Sequence, residues 1–259
     1  MKHLIYIYCY HIELLDEFLE NCYPTVEEFD MVDMHIDFSH ETYTEEVLKK
    51  IEGKRITYSV RENRGMDILP FVKTLYDIVF PTDEYSVITK IQSKVSDNDW
   101  RKWAYIPLFR DFSEFEQMHL FIEDNIRCGI PIMLNHRLTL DNYEMQRAGH
   151  VHAFDKIKEL NDKFFHFEKI SGSFFAGTMF MTSTLFLKSM FNGVDYEEFS
   201  SMFESGKPLT GYAHAMERLF GYAVENFGGK MVGIGKESEP IRKEHTEGIE
   251  QIIKGTLEF

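Results

Sequence analysis

Residues 55–94 read RITYSVRENRGMDILPFVKTLYDIVFPTDEYSVITKIQSK, and this stretch decides the fold. Residues 55–60 are rich in β-branched and aromatic side chains and read as a strand. The polar segment Asn63-Arg64-Gly65-Met66-Asp67-Ile68 follows as a turn that opens a helix over 66–80. Residues 85–91 form the next strand, which runs into Lys90-Ile91-Gln92-Ser93-Lys94. Strand, helix, strand predicts a parallel pairing with both sheet faces covered.

The alternation extends upstream. Residues 3–10 read as a buried strand, and 13–21 as an amphipathic helix with Leu14, Leu15, Phe18 and Leu19 on one face. A strand over 29–38 and a helix over 44–51, with Thr44 as its N-cap, complete the first half. The second half is less regular. Helices are expected over 100–109, 113–125, 153–163, 184–191 and 212–226, and strands over 130–134 and 174–181. Residues 233–235 close the fold, and a charged tail occupies 236–259. No repeat, low-complexity tract or long linker divides the chain, so one α/β domain over 1–235 is expected: a Rossmann-like, mostly parallel sheet flanked by helices.

The bulk composition sets limits. With 259 residues, 44% of them hydrophobic, the chain can build one large core. Its net charge of −15 (28 basic, 43 acidic residues) repels nucleic-acid phosphates, so no nucleic-acid partner is expected. The 23 Phe and 13 Tyr suit ring-packed clefts, or a groove that stacks sugars. Cys9, Cys22 and Cys128 show neither disulfide nor metal spacing, which fits a reducing cytoplasm. No signal peptide is visible, and no stretch has the length of a membrane span.

Open α/β sheets bind ligands beyond the carboxyl ends of their strands. Asp37, residues 63–67 and residues 90–94 all fall at or just after predicted strand ends, along one edge. Gly65 can adopt φ > 0 and admit a ligand to the backbone, while Asn63 and Asp67 can bond within the turn or cap the helix. The helix start that follows is an anion site. The same residues also suit a plain strand-to-helix turn with an Arg64–Asp67 pair. Lys90, Gln92 and Lys94 alternate, so as extended backbone they share one face. Two lysines there would carry the charge of one divalent metal; alone, they also suit a solvated strand end. His214, Glu217 and Arg218 share one face of the last helix. They could form a base with its orienting groups, or an ion-pair cluster on an amphipathic helix. His150 and His152 lack a metal-ligand partner at any recognisable interval, and Asp97 and Asp99 suit a helix start.

The ordered motifs carry a resemblance. HLIYIYCY, FDMVDMHID, ENRGMDILPF, YSVITKIQSK, FFAGTMF and AHAMERLFG, spanning roughly residues 3 to 225, resemble the rhamnan synthesis F family of bacterial polysaccharide-assembly proteins. That family looks like the GT-A glycosyltransferases. The resemblance implies a GT-A-like domain with a nucleotide-binding half (1–95) and an acceptor half (96–235). It places Asp37 at the nucleotide base, Asn63, Arg64, Gly65 and Asp67 beside the nucleoside, and Gly177 and Thr178 where donor meets acceptor. Glu217 falls near the helix that usually supplies the catalytic base. GT-A enzymes commonly end the fourth strand with a metal-binding Asp-x-Asp. Here Lys90-Ile91-Gln92-Ser93-Lys94 stands instead, with Gln92 where the family pattern usually has His, so Lys90 and Lys94 are expected to neutralise the donor diphosphate and no cofactor is expected.

The expected function is therefore transfer of a sugar, dTDP-rhamnose being the donor favoured by the resemblance, onto a surface polysaccharide or lipid-linked glycan. Glu217 would be the base, oriented by His214 and Arg218, with Asp67 the second candidate. The protein would work in the cytoplasm, peripherally associated with assembly machinery at the inner face of the membrane. The alternative is a non-catalytic module that binds a sugar nucleotide or glycan. A nucleotidyltransferase would need a glycine-rich basic loop near the first strand, and residues 8–16 have none.

Overall fold

The computed structural model describes residues 1–95, 98–135, 139–140, 151–206 and 211–234. Strands β1 (Lys2–Cys9), β2 (Val32–Ser39), β3 (Ile56–Arg61) and β4 (Tyr85–Gln92) alternate with helices α1 (Leu15–Glu28), α2 (Glu45–Ile51) and α3 (Ile68–Thr74). Then come α4 (Asn98–Tyr105), α5 (Phe112–Arg127), β5 (Ile132–Asn135), β6 (Thr139–Leu140) and α6 (Val151–Leu160). The chain continues through β7 (Ser173–Phe174), β8 (Phe180–Ser183), α7 (Thr184–Met190), α8 (Tyr196–Ser201), α9 (Tyr212–Asn226) and β9 (Lys230–Gly233).

Seven strands form one sheet in the order β3-β2-β1-β4-β8-β5-β9. The first four are parallel, β8 runs antiparallel to both its neighbours, and β9 pairs parallel with β5. The fold is thus the expected α/β class, mostly parallel and flanked by helices, and strands from both halves share one sheet. β1 shows why. Leu4, Tyr6 and Tyr8 enter one core with Ile68, Phe71, Phe186 and Met216, while Ile5, Ile7 and Cys9 enter a second with Phe18, Val47 and Phe115. A strand buried on both faces needs a continuous apolar run, which residues 3–10 supply.

The chain order reverses at β1: β2 and β3 lie on one side and β4 on the other. A crevice opens at such a switch point, beyond the carboxyl ends of β1 and β4.

One expectation is corrected. Residues 174–181 are not one strand. They divide into β7, a turn and β8, because Gly177 (φ 82°) and Thr178 (φ 53°) are both left-handed and no strand continues through such residues. The short α8 and β9 were not anticipated: each is too short to show a period. Gly235, His150, Asp97 and the tail 236–259 lie outside the described residues, as do the side chains of Asp99 and His152.

Candidate functional site at the sheet's switch point

A cleft of about 240 Å³ occupies the switch point, lined by Tyr8, Tyr10, His11, Asn63, Met66, Asp67, Gln92, Ser93, Lys94 and Val95. Register brings its walls together. Tyr8 of β1 lies opposite Gln92 of β4, and the Ser93 N–H donates to the Tyr8 carbonyl at 2.9 Å. Ser93 Oγ then accepts the His11 N–H at 2.9 Å, tying the exit of β1 to the exit of β4.

One wall is a polar chain. The Tyr8 hydroxyl donates to Asn63 Oδ1 (3.2 Å), Asn63 Nδ2 donates to Glu41 Oε2 (2.9 Å), and the Tyr10 hydroxyl donates to the same oxygen (3.0 Å). Burial pushes the Tyr8 phenol well above its ordinary value, so it stays a donor at neutral pH.

The floor is a buried ion pair. Lys90 Nζ donates to Asp67 Oδ2 at 2.5 Å and to the Thr178 carbonyl at 2.9 Å, and Thr178 Oγ1 donates to the same Asp67 oxygen at 2.8 Å. Lys90 is 0% exposed. Burial lowers its pKa, and the Asp67 charge pulls it back up. The Lys90 ammonium therefore faces Asp67 and Thr178 and not the cleft. The expectation that both lysines meet a diphosphate is corrected for Lys90: alternation holds, but β4 is buried at Lys90 and opens only at Gln92. Lys94 lines the cleft.

The turn before β8 is bonded to the cleft through Gln92. Gln92 Nε2 donates to the Gly177 carbonyl at 2.7 Å, and the Gly177 N–H donates to Glu217 Oε1. The Glu217 side chain is 16% exposed. Burial pushes its pKa up, while Arg218 and the Gly177 N–H pull it down; Asp67 raises it and Lys94 lowers it. Asp67, Lys90, Gln92, Lys94, Gly177, Thr178 and Glu217 thus form one cluster from four parts of the chain.

The remaining candidates stand outside the cleft. The Arg64 Nε donates to the Phe203 carbonyl at 2.9 Å, docking its turn on the chain after α8. Gly65 (φ 64°) packs so tightly that a Cβ would sit 2.7 Å from Leu69 and 2.8 Å from Phe203; its glycine serves packing and turn shape. His214 Nδ1 accepts the Gly211 N–H at 3.4 Å, at the start of α9. Arg218 is 4% exposed, donates to the His214 carbonyl at 2.8 Å, and covers the Phe174 ring at 4.8 Å. Its guanidinium lies 3.6 Å from Glu217, so it is that carboxylate's cation.

Asp37 is displaced from the role the resemblance gave it. It lies inside β2, 0% exposed. It accepts from Tyr6 (3.0 Å), Arg61 (2.9 Å) and Thr74 (2.8 Å), with His35 Nε2 at 3.2 Å. Its oxygens are committed beneath α3. Glu41, two residues beyond β2, accepts from the Asn63 and Tyr10 side chains that line the cleft. Sequence reading passed over Glu41, Tyr8 and Tyr10, although the exits of β1 and β2 were their signal.

Among the described residues no group of three or more His, Cys, Asp or Glu could hold a metal. The donor set at the β4 exit suits a divalent metal poorly: an amide already bonded to Gly177, a hydroxyl and a lysine.

No protein-family model matches the sequence, and no curated protein does. Solved structures match in part. A nucleotide-diphospho-sugar transferase from Desulfovibrio desulfuricans G20 matches at 15% identity and TM-score 0.31 over 52% of this chain and 58% of that one. The match thus spans little more than half of that protein's length. Core-mannan synthase A from Aspergillus fumigatus, in its Mn/GDP form, matches at 11% identity and TM-score 0.38 over 88% of this chain and 69% of that one. The resemblance to the rhamnan synthesis F family rests on the sequence motifs alone.

Proposed function

We propose that the protein is a GT-A-like glycosyltransferase whose nucleotide-sugar donor occupies the cleft between the exits of β1 and β4. The observation that carries this reading is the cleft itself: it lies at the switch point of an open α/β sheet, its lining includes two tyrosines, two amides, a carboxylate and a lysine, and the Gln92–Gly177 bond links it to Glu217, a carboxylate of raised pKa. Tyr8, Tyr10, Asn63 and Glu41 suit a nucleoside, with a ring to stack and several hydrogen-bonding groups. Lys94 suits the diphosphate.

Glu217 is the proposed base. The acceptor hydroxyl oxygen attacks the anomeric carbon, its proton passes to Glu217, and the bond from that carbon to the diphosphate oxygen breaks with the electron pair staying on the leaving diphosphate. Arg218 steadies the Glu217 carboxylate, and no step is routed through a metal. Rhamnose as the sugar and a surface or lipid-linked glycan as the acceptor remain the finer reading that the motifs support. Among the described residues no helix is long and apolar enough to cross a membrane.

Calorimetry with UDP, dTDP and GDP, followed by transfer assays in EDTA, tests the reading. One nucleotide should bind, Lys94→Met should weaken it at least tenfold, and transfer should persist in EDTA. Binding without turnover would favour the non-catalytic module. Strict manganese dependence would defeat the lysine reading.

A further inference from the structure

Thr178 poses a question that the cleft alone does not answer. A β-branched residue at φ 53° is held in a region its side chain disfavours, directly after Gly177 at φ 82°. Residues in such conformations persist only where their surroundings over-determine them, and they cluster at functional sites. Here the surroundings can be named. The Thr178 carbonyl accepts from Lys90, and its hydroxyl donates to Asp67. Its N–H donates to the Phe175 carbonyl at 3.1 Å. The Gly177 carbonyl accepts from Gln92, and its N–H donates to Glu217.

We infer that Lys90 is a positioning residue of the proposed site: with Asp67 it pins the left-handed Gly177–Thr178 turn, and the pinned turn holds the Glu217 carboxylate in place. This rests on the glycosyltransferase reading for its purpose but not for its geometry. A buried lysine is a costly way to hold a turn unless it is paired and fully hydrogen-bonded. Lys90 is paired with one carboxylate and bonded to one carbonyl, which take two of its three donors, and the Phe71 ring lies 5.5 Å away. The same Asp67 oxygen binds both Lys90 and Thr178, so moving either partner disturbs the other. β4, the turn before α3, the turn before β8, and α9 are thereby joined through side chains that the sequence scatters widely.

The charges facing Glu217 set the expected pH behaviour. Arg218 lies on its own helix, Asp67 on the turn before α3, Lys90 and Lys94 on and beyond β4, and the Gly177 N–H on the turn. Loosening the turn withdraws the Gly177 N–H, which favours the ionised form. The acidic limb of activity should then move to higher pH.

The test uses two variants of the full chain. Lys90→Met with Asp67→Asn removes both charges together, so no lone ion is left buried. Thr178→Val keeps the ion pair and removes only the hydroxyl. Amide-resolved hydrogen exchange reads the turn, and calorimetry with UDP, dTDP and GDP reads donor affinity. Both variants should exchange the Gly177 amide at least tenfold faster than the native protein, and Thr178→Val should keep nucleotide affinity within threefold. In transfer assays, kcat should fall at least tenfold with its acidic limb displaced upward. An unchanged Gly177 exchange rate in both variants overturns the inference. So does a tenfold loss of nucleotide affinity in Thr178→Val, which would make the turn part of the nucleotide site. A native protein that binds none of the three nucleotides defeats the glycosyltransferase reading, and the exchange rates still decide the role of Lys90.

Discussion

Glu217 is where the proposed chemistry is most exposed to measurement. A base must be ionised to accept a proton, and burial raises the pKa of this carboxylate. Activity should therefore decline on the acidic side at a pH above the ordinary glutamate range. Glu217→Gln keeps the shape and the bond from the Gly177 N–H but cannot take a proton, so kcat should fall ~10²–10⁴-fold with nucleotide affinity unchanged. Steady-state kinetics beside calorimetry would check this, and a wild-type kcat in Glu217→Gln would dismiss Glu217 as base. At this scale the sequence was only partly legible. Asn63, Asp67, Gln92, Gly177, Thr178 and Glu217 do converge. Asp37 and Lys90 were read as ligands because charge shows in a sequence whereas burial does not. Both belong to internal networks whose partners lie far along the chain: Arg61 and Thr74 for one, Thr178 for the other.

At the scale of elements, the first half was legible because each strand and helix has its own periodic signal. The second half was not, because its elements are set by contacts between distant segments. The turn between β7 and β8 reads as an apolar strand until the left-handed pair at Gly177 and Thr178 is seen. Helix α9 gives a sharper case. It carries Gly221 in mid-helix, where replacement by alanine ordinarily stabilises by ~1 kcal/mol. Here the helix lies against β7, and a Cβ on Gly221 would run into the Ser173 carbonyl and within 2.8 Å of Phe174 Cα. Backbone cannot step aside as a flexible side chain can, so steric cost outweighs propensity. Gly221→Ala should destabilise by ~1–3 kcal/mol, opposite in sign to the helix rule. Urea unfolding measures this directly; a stabilised variant would show that α9 can shift on the sheet. Because Arg218 and Glu217 ride on the same helix, any displacement should also depress transfer.

Across the whole molecule, the sheet is tied together by side chains as well as by its ladder. His3 of β1 is 0% exposed, with Nε2 at 2.8 Å from Thr89 Oγ1 of β4 and Nδ1 at 3.2 Å from His119 Nδ1 of α5. Glu123 accepts from the Ser86 hydroxyl at 2.5 Å and extends the network along α5. Burial lowers the pKa of both histidines, and neighbouring positive charge adds to this: His119 for His3, the chain terminus for His119; Glu123 and Glu116 partly offset it at His119. The folded state therefore keeps the rings neutral where the unfolded chain would protonate them. The unfolded state binds more protons once pH drops below about 6.5, so stability is intact above that value and lost as pH falls. Each histidine that stays neutral on folding costs up to about 1.4 kcal/mol between pH 7.5 and 5.5. The chain's net charge of −15 works the other way, since acidification relieves its self-repulsion. Comparing variants separates the two effects, because the overall charge is common to both. His3→Gln keeps hydrogen-bonding groups in the network but has no ring to titrate. It should lower stability at pH 7.5, yet lose less than the native protein between pH 7.5 and 5.5, by about 1.4 kcal/mol. Urea midpoints at the two pH values give that difference, and parallel losses in the two proteins would mean that the acid response arises elsewhere.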